Sequence, residues 1–370
     1  MKKICIVITS RSSFSKYYSV IKSLIKKKKI KIYLILSFSS VVREYGDISR
    51  FVKLNKIVII KYNNLYKNQT LLNSIKSTST GLNFFSETFS KIKPNLVLLM
   101  ADRYEVISAA IAASYLNIKI AHFQGGELSG NIDGKVRHSI SSLSDYHFVC
   151  TINSKKILNQ KVHLKNIFNT GCPSIDLMKK TREKPHNYIN IFKNNMIVDQ
   201  NFDFNNYIIL INHPDTNSLK NTKKNFKELL KVINYSKFSY VIFWPNSDPG
   251  TDEISKLIRQ YREKRISNKN AYVINLHPEE YFSVLLKSKG LIGNSSSGIR
   301  EAGFYGLPAI NLGERQNNRE RDVNVFNASY NTKNILKFLK SKFNKKYKKS
   351  NLYGNGNATQ KIVQIILKII

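Results

Sequence analysis

Leu96-Val97-Leu98-Leu99-Met100-Ala101-Asp102-Arg103 decides the fold. Six apolar residues in a row, closed by a charge pair, leave no polar face. A strand of that kind must be covered on both sides, as in a parallel sheet between two layers of helices. The run is far short of the ~18 residues a membrane helix needs. Similar runs recur through the first half, and strands are predicted at 3–9, 31–37, 57–60, 96–101, 118–123, 146–150 and 167–170. Amphipathic stretches at 14–28, 71–92, 104–116 and 134–143 separate them and are predicted helices. Strand and helix in alternation is the pattern of a doubly wound α/β domain.

Residues 180–206 break the pattern; they are polar, Asn-rich and read as irregular, so a domain boundary is expected there. A second series follows, with strands predicted at 207–212, 240–244, 272–276, 290–293 and 309–312. Helices are expected at 223–236, 252–264, 279–288 and 298–305. A chain of 370 residues has room for two such domains at ~150 residues each. The expected organisation is an N-terminal domain over 1–180 and a C-terminal domain over 207–350. An apolar helix within 355–370 would pack back across the domains. The fold class is therefore α/β, two doubly wound Rossmann-like domains facing a cleft, with ligands at the carboxyl ends of the strands.

Composition removes several classes of function. The chain is 42% hydrophobic, enough for a packed core rather than a disordered chain. Its start, Met1-Lys2-Lys3 and then Ile4 to Ile8, has too short an apolar stretch for a leader and reads as a first strand. The three cysteines, Cys5, Cys150 and Cys172, are far apart and odd in number, which points to a reducing compartment and a cytoplasmic location. Cys172 reads as a packed thiol. The net charge of +36 invites a nucleic-acid reading. The excess is mostly lysine scattered among Ile and Asn, with Lys26 to Lys29 at a predicted helix end, where lysine suits the negative pole of the helix. Neither a nucleic-acid nor a membrane partner is expected.

Chemistry-bearing residues fall where strands end. Asp102-Arg103 follows the strand at 96–101; it could serve a site or simply cap the next helix. The strand at 118–123 runs into His122-Phe123-Gln124-Gly125-Gly126-Glu127-Leu128-Ser129-Gly130-Asn131-Ile132-Asp133, with Arg137-His138 one turn into the next helix. Its glycines let a ligand approach the backbone closely. Arg137 lies four residues after Asp133, the spacing of a helical ion pair. In the second half His213-Pro214 ends a strand, and a histidine there can donate to a phosphate or move a proton. Gly293-Asn294-Ser295-Ser296-Ser297-Gly298 sits between a strand and the helix carrying Arg300 and Glu301. Hydroxyls and glycines at a helix start make an anion site. It lacks the G-K-[ST] of a Walker loop, and the first strand carries no G-x-G-x-x-G. Arg315 could reach the same anion. Thr9-Ser10-Arg11-Ser12-Ser13-Phe14-Ser15-Lys16 offers a second basic, hydroxyl-rich loop.

Taken together, these motifs make the sequence similar to the UDP-N-acetylglucosamine 2-epimerases. The 293–301 segment resembles their G-N-S-S-x-G-x-x-E signature. The 122–138 segment resembles H-x-x-G-G-E-x-[ST]-G-x-I-D-x-x-x-R-H of the hydrolysing branch, which makes a free C2-inverted amino sugar for sialic- or legionaminic-type acids of surface polysaccharides. Asp102-Arg103, His213-Pro214, Pro245-Asn246 and Asn311-Leu312-Gly313 followed by Arg315-Gln316 fall in order. The resemblance implies a glycosyltransferase-B-like fold, a homo-oligomer, a nucleotide-sugar substrate, and neither metal nor organic cofactor. It implies anti elimination of UDP to a glycal, then hydration. Asp102, Asp133 and the position of Gln124 match the family's acid/base carboxylates. Gln124 is the departure, because sialic-acid enzymes usually have glutamate there and an amide cannot accept the proton. Either Glu127 or an aspartate does that work, or the substrate is a 2,4-diacetamido sugar. His213 joins the catalytic set. Arg11, Ser15, Lys16, Arg103, His122, Arg137, His138, Asn246, Ser295, Ser296, Glu301 and Arg315 form the implied substrate-binding set. A glycosyltransferase of the same fold and a non-hydrolysing epimerase are the alternatives.

Overall fold

The computed structural model describes residues 1–130, 132–162 and 164–370. They form two compact units. The first comprises Met1–Leu128, Ile132–Leu177 and Tyr353–Ile370; the second runs over Met178–Leu352 and also takes in Ser129 and Gly130.

The first unit is a seven-stranded sheet: β1 (Lys2–Ile8), β2 (Ile30–Ser37), β3 (Ile57–Tyr62), β4 (Leu96–Met100), β5 (Ile120–Phe123), β6 (Tyr146–Val149) and β7 (Ile167–Asn169). The spatial order is β3-β2-β1-β4-β5-β6-β7, and each of its pairings is parallel. Helices α1 (Arg11–Leu24), α2 (Leu71–Ile92), α3 (Val106–Tyr115), α4 (Ile132–Ser142), α5 (Ile152–Val162) and α6 (Pro173–Glu183) follow strands in turn. All five residues of β4 are buried, as an apolar run with no polar face requires. Burying one Leu side chain contributes about 1.5–3 kcal/mol. Ala109, Ala110 and Ala113 let α3 approach the sheet closely, against Val97, Leu99, Phe85 and Phe89 in one core.

The second unit repeats the plan with α7 (Tyr188–Asn195), β8 (Ile197–Val198), β9 (Tyr207–Ile211), α8 (Thr222–Tyr235), β10 (Ser239–Phe243), α9 (Thr251–Glu263), β11 (Asn270–Val273), α10 (Pro278–Lys287), β12 (Leu291–Gly293), α11 (Glu301–Tyr305), β13 (Ala309–Leu312), β14 (Val325–Ala328) and α12 (Thr332–Lys342). Its order is β14-β13-β12-β9-β10-β11-β8, parallel except for β8, which pairs antiparallel with β11. In each sheet the first long strand has later strands on both sides. Strand order therefore reverses between β1 and β4 and again between β9 and β12, where such sheets open a crevice.

Two expectations need correction. The 180–206 stretch is not irregular: Asn187 caps α7 by accepting from the Ile189 and Asn190 amides, and Ile191 and Phe192 are buried. The helix expected at 298–305 is a 3-10 turn, Ser296–Gly298, followed by the five-residue α11. The C-terminal helix α13 (Ala358–Ile369) packs on α1 and belongs to the first unit. Asp176 caps its start, accepting from the Ala358 amide at 3.0 Å and the Thr359 amide at 2.6 Å. Among the described residues no helix is long and apolar enough to cross a membrane.

Candidate active site

In the first unit the candidate residues follow the carboxyl ends of β1, β4 and β5. Ser10 ends the loop after β1 and caps α1 by accepting from the Ser13 amide. Arg11, Ser15 and Lys16 lie half-buried on the first turns of that helix, with Phe14, Tyr17 and Tyr18 turned into the core. Asp102 leaves β4 two residues past its end. It does not cap α3, which starts at Val106 with Glu105 at its N-cap. Asp102 instead forms an ion pair with Arg137 of α4. Arg137 is 1% exposed and also donates to the Glu127 carbonyl. Arg137 thus reaches from α4 to a carboxylate that lies far from it in the chain.

Two residues expected to touch substrate are engaged inside the protein. Arg103 Nε donates to Glu105 at 2.7 Å, and both side chains are buried. His122 is fully buried, with Nε2 2.8 Å from the Ala101 carbonyl and Nδ1 3.0 Å from Ser141 Oγ. Burial drives its pKa down to about 3. Gln124 sits at φ +62° and is 1% exposed. Its Nε2 donates to Cys172 Sγ at 3.3 Å. Glu127 is buried, Asp133 lies half-buried in the first turn of α4, and His138 is half-buried one residue after Arg137. Asn131, part of the glycine loop, lies outside the described residues.

In the second unit the matching reversal, β9/β12, is bridged by side chains. Asn294 Oδ1 accepts from the His213 amide at 2.8 Å and its Nδ2 donates to the His213 carbonyl at 2.8 Å. His213 Nδ1 accepts from the Asn246 amide at 3.1 Å, which leaves the ring proton on Nε2 when the imidazole is neutral. Gln316 Nε2 donates to the Asn294 carbonyl at 2.9 Å. Gly293 makes the turn possible. Its φ is +136°, and a Cβ would lie 1.9 Å from the Ile211 carbonyl oxygen. Ser295 and Ser296 are half-buried, and Ser295 Oγ accepts from the Ser297 amide at 3.3 Å. Glu301 is buried at the start of α11. Arg315 lies 3.6 Å from Asp248. The sequence reading missed Asp248, Ser141, Glu105 and Tyr281, whose hydroxyl pairs with Ser297. Their partners are distant in the chain, except for Glu105, so no local pattern marks them. Among the described residues no group of three or more His, Cys, Asp or Glu side chains is placed to hold a metal ion.

The class these observations define is a protein of two parallel α/β units, each with its polar residues at a reversal of strand order. The family can then be assigned. The sequence model of the UDP-N-acetylglucosamine 2-epimerase family matches residues 22–367. The UDP-N,N'-diacetylbacillosamine 2-epimerase (hydrolyzing) of Legionella pneumophila is 31% identical over 376 residues, covering 100% of this chain and 96% of that one. A GDP/UDP-N,N'-diacetylbacillosamine 2-epimerase (hydrolyzing) of Campylobacter jejuni is 32% identical over 337 residues, 89% of this chain and 85% of its own. The crystal structure of UDP-GlcNAc 2-epimerase from Neisseria meningitidis bound to UDP-GlcNAc superposes with a TM-score of 0.77 at 23% identity, over 99% of this chain and 100% of that one. The chain belongs to the UDP-N-acetylglucosamine 2-epimerase family.

Proposed function

We propose that this protein is a hydrolysing 2-epimerase of a UDP-linked 2,4-diacetamido sugar, which it converts with water to UDP and the free sugar inverted at C2. The observation that carries the reading is the Asp102–Arg137 pair at the β1/β4 reversal. It holds a carboxylate at a strand end, where a base for a weakly acidic C2 proton is needed. Asp102, Glu127 and Asp133 are the proposed proton-transfer groups. One takes the C2 proton while the C1–O bond to UDP breaks, leaving a C1=C2 double bond. Water then gives its oxygen to C1, and a proton enters at the opposite face of C2. His213 Nε2, Asn246, Ser295, Ser296 and Arg315 are the proposed nucleotide contacts, aimed at the phosphates, where developing charge must be stabilised. Arg11, Ser15 and Lys16 are proposed as further anion contacts.

Two observations favour the diacetamido sugar over UDP-N-acetylglucosamine. The relatives at 31% and 32% identity carry that name, against 28% for a meningococcal UDP-N-acetylglucosamine 2-epimerase. Gln124 also presents an amide where the sialic-acid pattern has a carboxylate. The same reading includes a homo-oligomer, dimer or tetramer, located in the cytoplasm and feeding a sialic- or legionaminic-type acid pathway. The test is NMR of the products from both UDP-sugars in deuterated water. The expected result is free C2-deuterated sugar and UDP, faster from the diacetamido substrate. Release of an intact epimerised nucleotide sugar would place the protein in the non-hydrolysing branch. Turnover only in the presence of an acceptor would make it a glycosyltransferase. Faster turnover of UDP-N-acetylglucosamine would overturn the substrate assignment alone.

A further inference from the structure

Asp102 follows a strained residue. Ala101 sits at φ +62°, a left-handed conformation that residues with a Cβ rarely adopt and that must be held by its surroundings. Both of its backbone polar groups are held. Its amide donates to the Phe123 carbonyl at 2.9 Å, and its carbonyl accepts from His122 Nε2 at 2.8 Å. A carbonyl can only accept, so Nε2 carries the proton and Nδ1 must accept. The donor it meets is the Ser141 hydroxyl at 3.0 Å. Ser141 and His122 are both fully buried. Burial keeps the imidazole neutral, as this tautomer requires.

The chain of contacts closes on itself. Ser141 lies four residues after Arg137 on α4, so the two share one face of the helix. Arg137 pairs with Asp102, the residue after Ala101. One helix thus holds the Asp102 carboxylate directly and its backbone through His122. Gly125 is the clearance this arrangement needs. A Cβ there would lie 2.8 Å from Ser141 Oγ and 3.2 Å from His122 Nδ1, in the middle of their hydrogen bond.

We infer that Ser141 and His122 are positioning residues that set the Ala101–Asp102 turn, and that Ser141 acts on turnover through Asp102 without touching substrate. This rests on the reading of Asp102 as a proton-transfer group. Removing the hydroxyl with Ser141→Ala is expected to lower kcat about tenfold while KM and the UDP dissociation constant stay within about twofold, since misplacing a reacting group affects chemistry more than binding. Gly125→Ala, which leaves the hydroxyl present but displaces it, should do the same. In an Asp102→Asn background Ser141→Ala should cause no further fall. Nitrogen NMR of the wild type should show His122 as the neutral Nε2–H tautomer at pH 6. Unchanged kcat in both single variants, a KM that rises in step with the fall in kcat, or a charged or Nδ1–H His122 overturns the inference. If Asp102→Asn itself retains turnover, the catalytic reading of Asp102 fails instead, and the two failures are told apart by that single variant.

Discussion

Asn294 grips His213 by both of its backbone polar groups, at 2.8 Å each, across the β9/β12 reversal. The carboxamide acts as a clamp between two strand ends that are 81 residues apart in the chain. Asn294 is itself 1% exposed and is held through its carbonyl by Gln316. Replacing it with alanine removes both of these hydrogen bonds from buried backbone groups. A loss of about 1–3 kcal/mol is expected, at ~0.5–1.5 kcal/mol per hydrogen bond. Asn294→Ala should show this in urea unfolding, together with weaker UDP binding by calorimetry. An unchanged unfolding midpoint would show that the strand ends hold their places without the clamp.

The proposed nucleotide contacts make a separate prediction. Ser295→Ala and Arg315→Ala should weaken UDP binding roughly tenfold to a hundredfold, since a charge-assisted hydrogen bond is worth about 1.5–3 kcal/mol. Arg315 already shares its charge with Asp248 at 3.6 Å. Asp248→Asn, which relieves that competition, should therefore tighten UDP binding slightly. Calorimetry on the three variants decides the matter, and affinity unchanged in both Ser295→Ala and Arg315→Ala removes these residues from the site.

Asp102→Asn and Asp133→Asn should each cut turnover by at least ~100-fold, the scale of a positioned proton-transfer group. Asp102→Asn also strips the carboxylate from the buried Arg137, so its melting temperature should fall. UDP affinity should survive in both. Near-normal kcat in either variant would strike that residue from the acid/base set.

Stability should fall in acid, and two histidines say where. Burial lowers the pKa of His122 to about 3 and that of its cross-strand neighbour His147 to about 4. Unfolded histidine titrates near 6.5. Between these values the unfolded chain binds protons that the folded chain does not, so stability drops as pH falls from about 6.5 toward 4 and is level above 7. Each histidine contributes a slope of up to about 1.4 kcal/mol per pH unit. Urea unfolding from pH 7.5 to 4.5 should show the decline, and His147→Gln should make it shallower. A flat profile in the wild type would mean that these rings are protonated in the folded state.

The fold was largely legible in the sequence, and for physical reasons. Leu71–Ile92 and Ala309–Leu312 match the expected helix and strand because apolar spacing is a local signal. Helix α12 was not read. Its inward face is essentially Ile335 and Leu339, set among lysines. Strand β8 is two residues long and exists only through its pairing with β11. The site was legible as positions but not as roles. His122 beside a glycine loop looks like a ligand contact, and only the structure shows its ring buried between the Ala101 carbonyl and Ser141. Asp102 next to a predicted helix looks like a cap, and only Arg137, 35 residues on, shows what it meets. Side-chain pairing across strand ends leaves no periodic trace.

Gln124 is the residue on which substrate choice should turn. It occupies a left-handed conformation at a strand end, almost without exposure, with its Nε2 directed at the Cys172 thiol. Its Oε1 has no hydrogen-bond partner among the described residues. A buried acceptor in that condition is suited to an N–H or O–H of a bound sugar, because leaving it unpaired is unfavourable. Gln124→Glu keeps the shape and replaces the donor with a carboxylate oxygen. The Cys172 thiol can still donate to it, so the fold should persist. The new carboxylate resembles the sialic-acid pattern, and relative activity should shift toward UDP-N-acetylglucosamine. Electrostatics opposes the gain, because a further negative charge near Glu127 and a pyrophosphate disfavours the substrate. The expected outcome is a change of up to tenfold in the ratio of kcat/KM between the mono- and diacetamido substrates, about 1.4 kcal/mol of differential transition-state binding. Kinetics on both substrates with both proteins measure it. Two rates that fall together at a constant ratio would make Gln124 scaffold and leave the choice of sugar to other residues.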